Sequence, residues 1–162
     1  LVVGEGQLRG ELEKMAAALD LAACTRFAGL RRDVPDLVAA MDCFLLTSET
    51  EGFGIVVLES MASGVPVVAT DSGGVSDILE EGKQGFLLGR GDAEGLARAV
   101  LRILRDRDLA GKLRSGGRSR AADYGLEAVG EQHARAYRKL LAAKRSRSAG
   151  GRGAPASTAG RR

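Results

Sequence analysis

The chain has 162 residues, of which 44% are hydrophobic and 28% charged, a balance typical of a single soluble globular domain with a substantial core. The net charge of +3 is unevenly distributed, because six basic residues from Lys144 onward meet no acidic residue and residues 1–143 therefore carry −3. That part offers no basic stripe, so we predict no nucleic-acid partner. No apolar run approaches the roughly 20 residues that span a bilayer, and we expect no signal peptide. These observations favour a cytoplasmic protein, and a peripheral position at the inner membrane face stays open.

The composition divides the chain into a domain, residues 1–143, and a basic tail, residues 144–162. The tail is rich in Gly, Ser, Ala and Arg, which predicts disorder rather than an arm that binds RNA or a membrane. Within the domain, Cys24 and Cys43 lie in apolar surroundings without the spacing of metal ligands. We predict two buried free thiols in a reducing compartment.

Short β-branched runs alternate with helical patterns along the chain, which predicts a parallel sheet with crossover helices. The predicted strands are residues 1–3, 25–29, 43–48, 65–70 and 85–88, and the predicted helices before Asp92 are residues 7–19, 34–41, 53–62 and a short one after 74. The run at 43–48 is almost continuously apolar, as central parallel strands are. Beyond Asp92 the pattern is helical, with one apolar face formed by Leu96, Val100, Ile103 and Leu104. The predicted fold is α/β: a Rossmann-like parallel sheet flanked by helices and followed by C-terminal helices.

The first glycines of the chain resemble a dinucleotide-binding fingerprint but fail its spacing. Gly4 and Gly6 fit the pattern, whereas Arg9 stands where the third glycine belongs and Gly10 comes one position too late. The sequence therefore argues against a nicotinamide or flavin site here.

Two glutamates, Glu51 and Glu59, bracket a glycine-rich turn at residues 52–54 and the start of a predicted helix. They follow the carboxyl end of a predicted strand, which is the edge where open α/β sheets bind ligands. The amides of the first helical turn could hold a diphosphate, and a glutamate could accept hydrogen bonds from vicinal hydroxyls. A sugar nucleotide offers both groups.

The residues alone leave an alternative open, in which Glu51 stabilises the helix start and Glu59 is a solvated surface residue. Spacing does not decide between the two, because Glu5 and Glu13 also lie eight residues apart.

The stretch "EGFGIVVLESMASGVPVVATDSGGVSDILEEGKQGFLL" closely resembles the C-terminal domain of retaining glycosyltransferases of the group 1 / family 4 type, and the likeness runs from Leu1 to about Leu141. The resemblance implies the GT-B architecture, with two Rossmann-like domains and the active site between them. It also implies a retaining, metal-independent transferase without cofactor, whose donor substrate is a nucleotide-diphosphate sugar. The acceptor would be a sugar, a lipid or a small molecule.

By the same resemblance, Glu51 contacts the donor sugar and is the candidate catalytic residue, and Glu59 binds the ribose. The remaining implied donor-binding residues are Gly52, then Phe53 at the sugar pocket, Gly54, Ile55 and Val56 at the diphosphate, and Leu30 and Arg31 at the base. One departure is Asp77, which stands where the family has a glutamate.

The resemblance further implies that a basic pair gripping the diphosphate and the acceptor domain lie upstream of Leu1. We therefore expect a partial chain that is inactive alone and needs the N-terminal domain or a partner chain that supplies it. A non-catalytic nucleotide-sugar-binding subunit of a split enzyme, and an epimerase or phosphorylase of the same architecture, stay open as alternatives. His133 is interpreted as a solvated or packing residue, and "RSGGRSR" at residues 114–120 as a charged turn between surface helices.

Overall fold

The computed structural model describes residues 1–150, with side chains described up to Lys144. It confirms an α/β fold in which a parallel sheet is flanked by helices. The strands are β1 (Phe44–Leu46), β2 (Val67–Thr70) and β3 (Gly85–Leu88). The helices within the described residues are α1 (Arg9–Ala18), α2 (Val34–Ala39), α3 (Ile55–Ala62), α4 (Val75–Ile78), α5 (Ala93–Arg105), α6 (Arg107–Ala122) and α7 (Leu126–Gly150).

The three strands pair in the order β1-β2-β3, with Phe44 opposite Val67 and Val67 opposite Gly85. All four residues of β2 are buried, because helices cover both faces of this strand. On one face Val67 and Ala69 pack with Val57, Met61 and the side chains of α4. On the other face Val68 packs with α5 and α6. Burial of this apolar surface, at roughly 25 cal/mol per Å², is the main force that holds the layers together.

The sequence prediction of a central strand at residues 43–48 is wrong for the sheet as described. β1 forms one edge of the three-stranded sheet, and the Leu45 side chain is 47% exposed. The predicted strands at 1–3 and 25–29 are reduced to a single parallel bridge between Val2 and Phe27. The edge position of β1 and the shortness of the other two strands have the same cause. Among the described residues, each of these three segments has a hydrogen-bonded neighbour on one side only.

Two helical predictions also change. α3 begins at Ile55 rather than residue 53, because Gly54 has a φ of +81° and a right-handed helix cannot include that conformation. The buried face of α5 includes Ala99 in addition to Leu96 and Ile103, whereas the predicted face residue Leu104 is 52% exposed. The start of α5 is capped by Asp92, whose carboxylate accepts from the Gly95 N–H at 2.8 Å.

The segment "RSGGRSR" lies inside α6 and is not a turn. Its glycines lie against neighbouring segments: a Cβ on Gly117 would make an ordinary contact with Met61 Cα of α3 at 3.4 Å, and a Cβ on Gly116 would overlap the carbonyl oxygen of Lys83. α6 can therefore approach the turn at Lys83 only because position 116 lacks a side chain.

The prediction of two buried thiols is wrong for Cys24, which is exposed, whereas Cys43 is half-buried. Burial, and secondarily the nearby Asp42 carboxylate, raises the pKa of Cys43 to about 11. His133 is exposed on α7 with Nδ1 at 3.0 Å from the carbonyl oxygen of Val129, in agreement with a solvated residue.

α7 continues to Gly150 and so includes the start of the predicted tail. The prediction of disorder for residues 151–162 lies outside the described residues. Among the helices described, none combines the length and apolar character that a membrane crossing requires.

Candidate functional site

The loop between β1 and α3 ends in an unusual backbone conformation. Gly54 is buried, adopts the left-handed region with φ +81° and ψ 44°, and precedes the first residue of α3. The backbone hydrogen bonds of this helix begin at Val57, whose N–H donates to the Gly54 carbonyl at 2.9 Å. The amides of Ile55 and Val56 therefore lie in the first turn, where a helix has no carbonyl acceptors of its own to offer and where anions bind.

A second glycine loop, which follows β2, packs directly on this first loop. Gly73 has a φ of +58°, and a Cβ at this position would overlap the carbonyl oxygen of Glu51. The Gly74 N–H donates to the Gly52 carbonyl at 3.2 Å, and a Cβ on Gly74 would lie 2.8 Å from the same oxygen. The glycine pair is therefore required by close backbone contact between two loops at the carboxyl edge of the sheet.

Further hydrogen bonds connect the ends of all three strands at this edge. The Thr70 hydroxyl donates to the Ser48 carbonyl at 2.6 Å and links the loops after β2 and β1. The Asp71 N–H donates to the Leu88 carbonyl at 2.7 Å, and the Arg90 guanidinium donates to the Asp71 carbonyl at 3.1 Å. These bonds fix the loops relative to one another, as a preorganised ligand site requires.

The two glutamates differ in burial but share one property. Glu51 is half-buried in the loop, and Glu59 is exposed in the second turn of α3, on the same helix face as Ile55. Within residues 1–144, no hydrogen bond or ion pair uses the carboxylate of either glutamate. Both carboxylates are consequently available to a ligand.

The pair with the same spacing, Glu5 and Glu13, behaves differently. Both carboxylates bind Arg9, at 2.8 Å and 2.9 Å. The hydrogen bond to Glu13, and after it the charge of Glu5, raises the pKa of the Arg9 guanidinium. The structure thus distinguishes an ion-paired surface cluster from the two unpaired carboxylates beside the glycine loops.

Phe53 lies at the same edge and contacts a residue that sequence reasoning missed. Its ring, 46% exposed, meets the Tyr124 ring edge-to-face with centroids 5.9 Å apart. The Tyr124 hydroxyl donates to the Asp77 carbonyl at 3.0 Å, and the Arg120 guanidinium donates to the carbonyls of Asp77 at 2.7 Å and Ile78 at 3.1 Å. The last turn of α6 and the residues after it therefore hold both Phe53 and the end of α4. The signal in the sequence was an Arg and a Tyr four residues apart, one helical turn.

The residues predicted to lie near the base form a separate group. Leu30 is 77% exposed, and Arg31 makes a bidentate ion pair with Asp33 at 2.8 Å and 2.5 Å. The hydrogen bond between the two side chains is the main cause that raises the pKa of Arg31 and lowers that of Asp33. Leu30 and Arg31 line a groove together with Val56, whereas Glu51, Phe53 and Glu59 do not line it.

The structure also bears on ion binding by the described side chains. Among them, no cluster of three or more His, Cys, Asp or Glu residues has the proximity needed to hold a metal ion. Asp77 is exposed on α4 and contributes to the described site through its backbone carbonyl.

Parallel strands, crossover helices and glycine loops at the carboxyl edge define the Rossmann-like class of α/β domain, whose ligands bind at this edge. The sequence model of the family described as glycosyl transferases group 1 matches residues 1–120. The chain belongs to this family.

Individual relatives agree with the family assignment. The lipopolysaccharide core biosynthesis glycosyltransferase LpsE of Rhizobium meliloti is 38% identical over 148 residues, which are 88% of this chain and 41% of that protein. The N-acetyl-alpha-D-glucosaminyl L-malate synthase of Bacillus anthracis is 36% identical over 109 residues, 67% of this chain and 29% of that enzyme.

Solved structures show the same fold. Anabaena Alr3699/HepE in complex with UDP superposes with a TM-score of 0.78 at 30% identity, over 85% of this chain and 40% of that one. The same protein in complex with UDP-glucose gives a TM-score of 0.76. The chain thus spans about two fifths of the length of LpsE and of HepE, and 29% of the malate synthase. The Rossmann-like domain expected from the sequence is confirmed, and it matches part of solved glycosyltransferase structures of the GT-B fold.

Proposed function

We propose that this chain is the part of a retaining glycosyltransferase that binds the nucleotide-diphosphate sugar donor, for transfer of the sugar to an acceptor hydroxyl. The observation that carries the proposal is the loop at residues 51–54. It places the unpaired Glu51 carboxylate next to the N-terminus of α3, on a backbone held by the Gly73–Gly74 loop, and the second unpaired carboxylate, Glu59, lies in the second turn of the same helix. Support also comes from the HepE structures, in which the bound molecules are UDP and UDP-glucose.

Each group of the site has a role that its chemistry fits. The amides of Gly54, Ile55 and Val56 hold the diphosphate, since helix N-termini favour negative charge. Glu59 accepts hydrogen bonds from the ribose hydroxyls, and Glu51 accepts them from the sugar hydroxyls. Phe53 borders the sugar, and Leu30 and Arg31 border the base.

In the reaction, the bond between the sugar and the diphosphate breaks and a bond to the acceptor oxygen forms on the same face of the sugar. The diphosphate leaves with the bonding electrons, and its departing oxygen takes the proton of the acceptor hydroxyl on the same face. Fixed amide dipoles stabilise the charge that grows on the leaving oxygen, which is the preorganised electrostatic contribution to catalysis. We propose that no metal ion or other cofactor takes part.

The donor site is local to this chain, whereas the acceptor is held by the N-terminal domain or by a partner chain. The chain alone is therefore proposed to bind donor weakly without transferring it. The acceptor class, whether sugar, lipid or small molecule, and a cytoplasmic location belong to the same proposal.

The test compares UDP and UDP-glucose as ligands in NMR titrations of three variants. Glu59→Gln should weaken binding of both ligands by roughly 5- to 13-fold, because a neutral acceptor worth about 0.5–1.5 kcal/mol replaces a charge-assisted hydrogen bond of about 1.5–3 kcal/mol. Glu51→Gln should weaken binding of UDP-glucose and leave binding of UDP nearly unchanged. Glu49→Gln, an exposed neighbour in the same loop, serves as the matched control and should change neither.

Two results contradict the assignment. One is an equal loss of UDP affinity in Glu51→Gln and Glu59→Gln, which would remove the separate roles for ribose and sugar. The other is an unchanged affinity in both variants, which would return the glutamates to helix-start and solvated surface roles.

A further inference from the structure

The backbone and the ring of Phe53 are held by different parts of the molecule. The backbone lies against the second glycine loop, since a Cβ on Gly74 would come within 3.1 Å of Phe53 Cα. The ring meets Tyr124 edge-to-face, with the centroids 5.9 Å apart and the planes at 62°. Phe53 is nevertheless exposed, and an exposed side chain exchanges between rotamers unless a neighbour restricts it. Tyr124 is such a neighbour.

Tyr124 reaches Phe53 because α6 runs antiparallel to α3. In the second half of α3, Met61 lies beside Gly117 of α6, where an added Cβ would be 3.4 Å from Met61 Cα. Further along the chain, just past the last turn of α6, Tyr124 lies beside Phe53, just before the start of α3. The aromatic pair therefore lies at the end of the two helices that faces the candidate site.

The Tyr124 side chain is itself fixed by hydrogen bonds and by a cation. Its hydroxyl donates to the Asp77 carbonyl at 3.0 Å and accepts from the Arg120 guanidinium at 3.0 Å. The guanidinium carbon of Arg120 also lies 5.1 Å from the centroid of the Tyr124 ring, a cation–π distance. Arg120 is held in turn because it donates to the carbonyls of Asp77 and Ile78, which the end of α4 leaves without helical partners.

Tyr124 thus connects the protein core to an exposed residue of the site. Its ring packs on the core cluster that includes the fully buried side chains of Met61 and Val75. The other contact of the ring is with Phe53, outside that core. A fixed ring between a rigid core and an exposed side chain restricts the orientation of the exposed side chain, as preorganised binding sites require.

We propose that Tyr124 is a positioning residue for the donor sugar: its fixed ring holds the Phe53 ring in the orientation that borders the sugar. This inference rests on the proposed function, in which Phe53 borders the sugar and the helix amides hold the diphosphate. Tyr124 makes no contact with the donor and acts through Phe53. It therefore affects the affinity for the sugar part of the donor and not the affinity for the nucleoside diphosphate.

The size of the effect follows from the rotamers of Phe53. Without the Tyr124 ring, the Phe53 side chain has about three staggered χ1 positions to occupy. If these are equally populated, about one third of the molecules keep the orientation that fits the sugar, and the apparent affinity falls about threefold. UDP has no sugar beyond the diphosphate, so its affinity should not change.

The test is a set of NMR titrations with UDP and with UDP-glucose, in which the ratio of the two dissociation constants is measured for each variant. A loss of folded protein affects both ligands equally and leaves this ratio unchanged. Tyr124→Leu should weaken binding of UDP-glucose about threefold relative to UDP. Tyr124→Phe keeps the ring on the core and should retain the wild-type ratio. Tyr137→Leu changes the other tyrosine of the chain, which is exposed on α7, and serves as the matched control.

Two further measurements separate a positioning role from a merely structural one. In a double-mutant cycle, Tyr124→Leu should not change the ratio further when Phe53→Ala has already removed the ring. Without ligand, ¹³C relaxation of labelled phenylalanine rings should show larger motion of Phe53 in Tyr124→Leu than in the wild type or in Tyr124→Phe.

Three results overturn the proposal and leave the proposed function intact. They are a wild-type ratio in Tyr124→Leu, the same change of the ratio with and without the Phe53 ring, and a Phe53 ring as rigid in Tyr124→Leu as in the wild type. A wild-type chain that binds neither UDP nor UDP-glucose contradicts the proposed function itself, and this inference with it.

Discussion

The contact between the two glycine loops makes a sharp prediction for Gly73→Ala. Gly73 and Gly82 both have a left-handed backbone, with φ of +58° and +75°, so alanine costs about 1–2 kcal/mol at either position. They differ in their surroundings: a Cβ on Gly73 would overlap the Glu51 carbonyl oxygen, whereas a Cβ on Gly82 has no atom within 4 Å. Gly82→Ala is therefore the matched control.

The additional cost at Gly73 follows from how firmly the Glu51 backbone is held. Relief of the overlap requires movement of a loop that is fixed by the bonds from Gly74 to Gly52 and from Thr70 to Ser48. Inserting an atom into such packing typically costs a further 1–3 kcal/mol or so. We expect Gly73→Ala to destabilise the protein by about 2–5 kcal/mol, against about 1–2 for the control.

Urea unfolding measures the difference, which should appear as a lower midpoint with an unchanged slope. The displaced loop should also weaken UDP-glucose binding in the Gly73→Ala variant, whereas Gly82→Ala should leave the affinity for UDP-glucose unchanged. Equal midpoints for the two variants would refute the reasoning, because strain from the backbone conformation would then be the whole effect.

Two other predictions concern Tyr124 and the cysteines. Tyr124→Phe keeps the ring against Phe53 and removes the hydrogen bond from the hydroxyl to the Asp77 carbonyl, which should lower the free energy of unfolding by about 0.5–1.5 kcal/mol. Tyr124→Leu also removes the ring contact and should lower the free energy of unfolding by a similar amount again. Equal urea midpoints for the two variants would contradict this role. Because burial holds the pKa of Cys43 at about 11, its thiol stays neutral below that pH and only about one part in a thousand is thiolate at pH 8. Iodoacetamide at pH 8 should modify the exposed Cys24 first, and the rate of Cys43 modification should rise about tenfold per pH unit up to about pH 11, as followed by mass spectrometry. Similar modification rates of the two thiols at pH 8 would contradict the burial argument.

The parts of the fold that the sequence predicts well are those set by local pattern. β2 is preceded by the Val65–Pro66 dipeptide and followed by a polar turn, and its apolar run corresponds to complete burial. The prediction of the buried face of α5 was less accurate, because it included the large residue Leu104 and left out the small residue Ala99. Ala99 is buried because α5 packs on the sheet, and that contact is a property of the tertiary fold.

Some features of the candidate site likewise follow from local sequence, and others depend on the tertiary fold. The strand end and the glycines follow from local sequence, although the left-handed φ of Gly54, which makes the helix begin at Ile55 rather than at residue 53, does not. The Gly73–Glu51 contact and the Phe53–Tyr124 pair join residues far apart in the chain. Single-sequence patterns carry no direct signal for such pairs, so Tyr124 and Arg120 could be found only from the fold.

The error at β1 has a different origin, and it connects sequence with topology. The run at residues 43–48 has the continuous apolar pattern of a strand with neighbours on both sides and helices on both faces. The structure gives it one hydrogen-bonded neighbour, β2, and leaves Leu45 half exposed beside the groove. An apolar run therefore predicts that a segment is a strand, but it does not predict how many neighbours the strand has, because that number is a property of the tertiary fold.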